Sequence, residues 1–355
     1  MLHVSIKGLF MNKLVIIGNG FDLAHGLKTS YKDFILWHID TVFQLPIGKR
    51  TSELITIDSN LSYFDISSTV DYYKAKEYND RRFWFKIKGQ HIFIDNILES
   101  IEQFNWVDIE RRYYARLLVL HSLTNTPENT KLEMVGELNK FMDILKKELS
   151  TYLGLQFEKG IYEVLEIRDH FNDILNSCDS DGRKFSFNVL NFNYTNTAEI
   201  YLDRMHLNYI HGELNNLQNP VIFGYGDEMD ENYSKIEKLN RNIYLKHMKS
   251  FAYLQTPNYQ KLFEFLDSDN FFDVYIMGHS CGLSDRLLFT HIFEHSKFNS
   301  VNIFYYQKSE TENDFFEKTQ NLSRYFRLES KHKMRTKVIP FSKSKPLTSY
   351  KPQTN

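Results

Sequence analysis

The segment NKLVIIG, Asn12 to Gly18, is an apolar run with no polar alternation, closed by glycine. Such a strand needs both faces covered, which fits the centre of a parallel sheet and not a half-solvated antiparallel one. Parallel neighbours require crossovers of a dozen residues or more, so the rest of the chain must supply strand–loop–helix units. It does. Strand-like segments recur at KFSFNVLNFN, LNYIHG, PVIFGYG, FDVYIMGHS and VNIFYY, with helical patterns behind two of them, TAEIYLDR and DRLLFTHIFEH. The expected class is therefore α/β, a Rossmann-like and mostly parallel sheet flanked by helices.

Between the first strand–helix unit and the later strands the pattern changes. Thr29-Ser30 reads as a helix N-cap, followed by Tyr31, Phe34, Ile35 and His38 on one helical face. Residues from about 45 to 90 show no strong period and read as an irregular insertion. From 91 to 175 helical stripes dominate, with Ile94, Ile97, Leu98 and Ile101, then Leu138, Phe141, Met142, Leu145 and Leu149. The expected organisation is an extension at 1–10, an α/β domain at 11–44 and 176–330, an inserted helical subdomain at 45–175, and a tail at 331–355.

The tail stands out by charge. Residues 331–355 hold seven Lys/Arg and no Asp/Glu, so a formal net charge of −2 for the chain leaves the first 330 residues at −9. A tail of this kind is expected to be disordered, and it is the one place where nucleic acid contact is anticipated. The acidic body argues against a broad nucleic-acid footprint. Two cysteines, Cys178 and Cys281, are too few for a four-cysteine zinc site and point to a reducing compartment, hence a cytoplasmic protein. No apolar run approaches the ~20 residues of a membrane helix, so no membrane association is expected.

In open parallel sheets, ligands bind beyond the carboxyl ends of the strands. Those ends read Gly18-Asn19-Gly20-Phe21-Asp22, Asn191-Phe192-Asn193-Tyr194-Thr195, His211-Gly212, Gly224-Tyr225-Gly226-Asp227 and Gly278-His279-Ser280. Gly18-x-Gly20 would let backbone N–H groups approach a phosphate, or would simply make a tight turn. The third glycine of the dinucleotide fingerprint is replaced by Leu23. Asp22 could bind a ligand hydroxyl or cap a turn. His211 could take a proton from water or a ribose hydroxyl, or be an ordinary cap histidine. Asn193 could orient a water or a ribose, or cap the loop leading to the next helix. No metal site is expected, since His291 and His295 lack the glutamate of a zinc-protease helix.

Gly278-His279-Ser280-Cys281-Gly282 also fits the nucleophile elbow of serine hydrolases. An elbow serine needs an acid and then a histidine further along the chain. Of the later histidines, His291 and His295 belong to the helix expected directly behind the loop, and His332 sits in the basic tail. Ser284-Asp285 reads as that helix's start, four residues too late for an elbow. Ser280 as nucleophile is the alternative; Ser280 as a ligand contact, with Asp285 beside it, is the preferred assignment.

Taken in order, LVIIGNGFDLAHGLKTSYKDF, NWVDIERRYY, NFNYTNT, IHG, NPVIFGYGDE and GHSCGLSD resemble the AbiH family of bacteriophage abortive-infection proteins, from Asn12 to about His295. Within NWVDIERRYY, Trp106, Asp108 and Glu110 could reach the pocket or anchor the helical subdomain. The same strand ends are similar, more distantly, to the sirtuin-like NAD-binding fold. That likeness matches Gly18 and Gly20 of a phosphate-binding first loop, a catalytic pair (Asn193 and His211) and a cofactor contact at Ser280; Asn19, Phe21 and Asp22, which replace the sirtuin residues of that loop, and Thr195, Gly278 and Asp285 are taken as further cofactor contacts beside them. It implies cleavage of the N-glycosidic bond of NAD with release of nicotinamide. Thr195 stands where sirtuins carry aspartate, which departs from their nicotinamide contact, and the zinc cysteines of the deacylases are missing, which argues against deacylation. A nucleotide-binding regulatory protein without catalysis remains an alternative. A phage-derived trigger and a homo-oligomer are the partners the resemblance suggests.

Overall fold

The computed structural model describes residues 11–59, 85–104, 107–157, 160–176, 185–226 and 230–350. Five parallel strands form the main sheet: β1 (Met11–Ile17), β4 (Phe187–Asn191), β5 (Leu207–Tyr209), β6 (Phe271–Met277) and β7 (Phe298–Phe304). Their order is β5-β4-β1-β6-β7, with β1 paired to β4 on one side and to β6 on the other. The chain builds outward from β1 through β4 to β5, then crosses back to lay β6 and β7 on the opposite side. This is the doubly wound Rossmann-like arrangement, and it leaves a crevice where the winding direction reverses.

The apolar run of β1 serves two cores at once. Leu14 and Ile16 face one side with Leu190, Val274, Ile276, Val301 and Ile303, covered by α9 (Asn258–Leu266) and α10 (Arg286–Glu294). Val15 and Ile17 face the other, against Ile167, Phe171 and Ile174 of α6 (Leu165–Leu175). Alternate residues of one strand thus point to opposite layers, and both layers are apolar. That is why no polar alternation is present in the segment.

A third core belongs to the insert. It joins α2 (Tyr31–Phe43), the hairpin of β2 (Ile55–Ser59) and β3 (Phe85–Gly89), α3 (Ile92–Phe104), α4 (Ile109–Ser122) and α5 (Glu128–Phe157). Ser30 caps α2 by accepting the Asp33 N–H, as its position predicts. The hairpin replaces part of the expected irregular stretch, while residues 60–84 lie outside the described residues. The boundaries also differ from the sequence reading. Helix α2 packs in the insert core, α6 packs on the sheet, and Phe223, Tyr225, the α7 (Glu231–Glu237) residues Tyr233 and Ile236, Tyr244 and Met248 join the insert.

Two local expectations are corrected. PVIFGYG is not a sheet strand; it makes a single bridge, Tyr225 to Met248, because its aromatic residues are drawn into the insert core. TAEIYLDR forms only a short 3-10 turn at Thr197–Ile200. The tail is corrected over 331–350, while 351–355 lie outside the described residues. Lys331–Lys337 is helical, and beyond it the chain runs along the outer edge of β7. Ile339 N–H donates to Val301 O, Leu347 N–H donates to Tyr305 O, and the Leu347 side chain is buried. The edge strand would otherwise carry unpaired backbone groups, and this segment covers them. No helix among the described residues is long and apolar enough to cross a membrane.

Candidate functional site

The ends of β1, β4, β5 and β6 open into one cleft of about 1690 Å³. Gly18, Asn19, Gly20, Asp22, Asn193, Thr195, His211, Gly278, Ser280 and Asp285 all line it. Phe21 does not: its ring is buried against Phe171 and Tyr201, so its assignment as a ligand contact is corrected to a core residue. Trp106 and Asp227 lie outside the described residues.

The glycines have a specific use. Gly20 N–H donates to Gly278 O at 2.8 Å, Gly18 N–H donates to Met277 O, and Phe21 N–H donates to Gly18 O. A Cβ on Gly278, whose φ is +73°, would stand 2.1 Å from Phe21 N; one on Gly20 would stand 2.7 Å from Gly278 O. The first and last loops of the cleft therefore lock together backbone to backbone. These amides are spent on that lock, not left free for a phosphate as the G-x-G spacing suggested.

Asp22 lies above the lock, in the short helix α1 (Asn19–Ala24). Thr195 Oγ1 donates to its Oδ2 at 2.7 Å, and its Oδ1 has no hydrogen bond. Burial pushes its pKa up to about 6, against the opposing hydroxyls of Thr195 and Thr197 and the Asn193 amide. Asn193 is buried; its Nδ2 donates to Gly18 O at 3.1 Å, and its backbone N–H is held by the Asn191 side chain.

At the neighbouring end of the cleft is a chain of buried charges. His211 Nε2 is 3.0 Å from Asp285 Oδ1 and 3.2 Å from the Tyr253 hydroxyl. Lys249 of α8 (Lys249–Ala252) donates to Asp285 Oδ1 at 2.8 Å and to Glu110 Oε2 at 2.9 Å. Glu110 Oε1 accepts the Gly224 N–H at 3.0 Å. His279 faces Asp285 Oδ2 at 3.8 Å, while its Nδ1 accepts the Cys281 N–H at 2.9 Å, which leaves Nε2 to carry the proton of the neutral ring.

Burial disfavours ionisation of Asp285, but Lys249, His211 and His279 outweigh it and hold the carboxyl well below the usual range. Burial likewise works against the Lys249 ammonium, and Asp285 and Glu110 overcome it, so its pKa is raised. Glu110 goes the other way: burial, with Asp285 and Asp108, pushes it up to about 7 despite Lys249. Burial and the Lys249 charge lower His211, and burial holds His279 at about 4. Both histidines are neutral at physiological pH.

Ser280 is exposed, and its carbonyl accepts the Asn321 amide. No histidine bonds its hydroxyl among the described residues, and a 3-10 turn at Leu283–Asp285 separates it from α10. It lacks what an elbow nucleophile needs. Asp285 occupies the N-cap position of α10 without capping it, because its carboxylate is committed to Lys249 and His211. Among the described residues no three His, Cys, Asp or Glu are grouped to hold a metal ion.

Lys249, His279 and Tyr253 were not singled out as site residues by sequence reasoning. Glu110, in NWVDIERRYY, was named as a residue that could reach the pocket or anchor the helical subdomain, and it lines the cleft. His279 sits inside the elbow-like pentapeptide, where attention falls on the serine. Lys249, in LKHMKSF, carries no local cue.

No curated protein and no solved structure matches this chain, so no sirtuin-like relative supports the more distant likeness. A family model described as "Bacteriophage abortive infection AbiH" matches residues 14–307, a span that takes in every strand end of the cleft and both partners of Lys249. The chain belongs to the AbiH family of bacteriophage abortive infection.

Proposed function

We propose that the cleft binds a pyridine dinucleotide such as NAD and hydrolyses its N-glycosidic bond, depleting the cofactor in an infected cell. One observation carries this reading. Asp22, Asn193, His211 and Asp285 arrive from four different strand ends and line one cleft at the reversal point of a Rossmann-like sheet.

Nicotinamide is a cationic leaving group, so the protein's task is to steady positive charge on the ribose and to position water. In the proposed step the bond from C1′ to the pyridinium nitrogen breaks and its electron pair leaves with neutral nicotinamide. A water oxygen bonds C1′ and its proton passes to His211, which Asp285 orients. In this reading Asn193 orients the water or the ribose. The unbonded Oδ1 of Asp22 fits a ribose hydroxyl. With the glycine amides committed elsewhere, the pyrophosphate falls to side chains, and Lys308, Lys318 and Arg324 line the cleft on the β7 side.

The test is incubation of pure protein with NAD, with free nicotinamide followed by chromatography. Wild type releases nicotinamide, and folded His211→Ala and Asn193→Ala variants release it at least about a hundredfold more slowly. Equal release by wild type and His211→Ala overturns the reading. A second reading, nucleotide binding without cleavage, is favoured by the locked glycine loop and by Thr195, whose hydroxyl is already committed to Asp22. It predicts NAD binding by calorimetry with no nicotinamide released.

A further inference from the structure

We infer that Glu110 and Lys249 are positioning residues of the His211–Asp285 pair, and that these four side chains hold one proton shared between the helical insert and the sheet. The inference rests on the reading of His211 as the base.

The geometry is a continuous chain: Gly224 N–H to Glu110, Glu110 to Lys249, Lys249 to Asp285, Asp285 to His211, each contact between 2.8 and 3.0 Å. All four side chains are buried, Lys249 completely. Glu110, Asp285 and His211 line the cleft, whereas Lys249 lies behind them. The backbone ties the same parts together. Lys249 N–H donates to Tyr225 O, and Gly226 N–H donates to Ser284 O, so residues 224–226 are stitched between α4 and the turn bearing Asp285.

The charge count gives the function. Two carboxylates share one ammonium, and both histidines are neutral, so with Glu110 ionised the cluster carries one surplus negative charge. A purely structural network gains nothing from an unbalanced buried charge, which is costly. A network built around a base does. When His211 takes a proton from water, the surplus is cancelled where the imidazolium forms, with no solvent to reorganise. When a proton already sits on Glu110, that benefit is lost. Asp108, His279 and the hydroxyls of Tyr31, Tyr194 and Tyr253 also face the cluster; Arg111 acts on Asp108 and Lys318 on His279 at its flanks, while the cation that Glu110 itself faces is Lys249. Glu110 therefore sets the pH above which His211 works, and it does so from the insert, without touching His211.

The experiment is NMR titration of labelled histidine ring resonances in the full chain, alongside nicotinamide release from NAD across the same pH range. In wild type the His211 ring senses a step near neutral pH as Glu110 loses its proton, and turnover rises through that step. In Glu110→Gln, which keeps the side chain's shape, the step is lost from both readouts. Asp285→Asn moves the step down, and Lys249→Met moves it up, because Glu110 loses a repelling carboxylate in the first case and its counter-ion in the second. Thermal melts check that each variant is folded; should Lys249→Met fail to fold, Glu110→Gln decides alone. A step that persists in Glu110→Gln, or its absence from wild type, overturns the inference. If the resonances behave as stated and wild type releases no nicotinamide, the network stands and the NAD reading falls. If nicotinamide is released with no such step, the NAD reading stands and the network falls.

Discussion

Replacing Lys249 by methionine tests the buried network through stability. The ammonium contacts Glu110 at 2.9 Å and Asp285 at 2.8 Å. Each contact amounts to about 6 kcal/mol of attraction at an effective dielectric of about 20. Most of this offsets the desolvation of three charges, which costs several kcal/mol per ion. Methionine fills similar space but strands two carboxylates with no counter-ion, and such truncations cost about 3–5 kcal/mol. An unfolding entropy of about 2.1 cal/mol/K per residue over 355 residues gives about 0.75 kcal/mol/K, so the melting temperature falls by about 4–7 °C. The loss has a pH signature. Without Lys249 the folded-state pKa of Glu110 rises further above its unfolded value, so the deficit is full in alkali and shrinks as pH falls through that raised pKa. Adding Glu110→Gln removes one stranded charge and recovers about 1–3 kcal/mol, a coupling that scanning calorimetry of the full mutant cycle measures. A melting temperature unchanged within about 1 °C in Lys249→Met, or strict additivity in the double variant, would refute this energetic account.

Three other outcomes follow from the fold. Gly278→Ala forces a side chain onto a φ of +73° and into the Phe21 backbone, so it should lower soluble yield and melting temperature far more than Gly26→Ala, whose added Cβ meets open space; paired thermal melts compare them. Asp22 has a folded pKa of about 6 against an ordinary 3.8, so the folded state binds its proton more tightly and stability falls as pH rises between those values. Asp22→Asn should remove about 2–3 kcal/mol of that slope, read from melts between acid and neutral pH. Deleting residues 338–355 strips the cover from β7 and the buried Leu347, and should destabilise the protein; a melt indistinguishable from the full chain would restore the picture of a dispensable tail.

The sheet was legible because its signal is local. β1 shows itself in seven residues, α2 in its Ser30 cap and apolar face, and the cleft in the polar ends of successive strands. Asn193, His211 and Asp285 could be placed at one edge because topology alone brings strand ends together. What the sequence concealed depends on partners far apart in the chain. Lys249 and Lys246 look alike in LKHMKSF, yet Lys246 pairs with Asp143 in solvent and Lys249 is the buried centre of the site. Their fates are decided by Glu110, 139 residues earlier. The basic C-terminal stretch misled for a similar reason: its charge suggests solvent, while its apolar residues Met334, Val338, Phe341 and Leu347 pack along the β7 side of the sheet, a site that composition cannot reveal. The glycine pair at 18 and 20 carried a true signal of close approach, but the approaching group is the backbone at Gly278.

That backbone lock bears on how the protein is made. Its two halves are separated by some 260 residues of chain, and β6 with the loop behind it is among the last parts of the sheet to leave a ribosome. A nascent or prematurely terminated chain that stops before Gly278 has neither the floor of the cleft nor Asp285. A fragment that ends before Gly278 therefore cannot assemble the cleft, whatever that cleft binds.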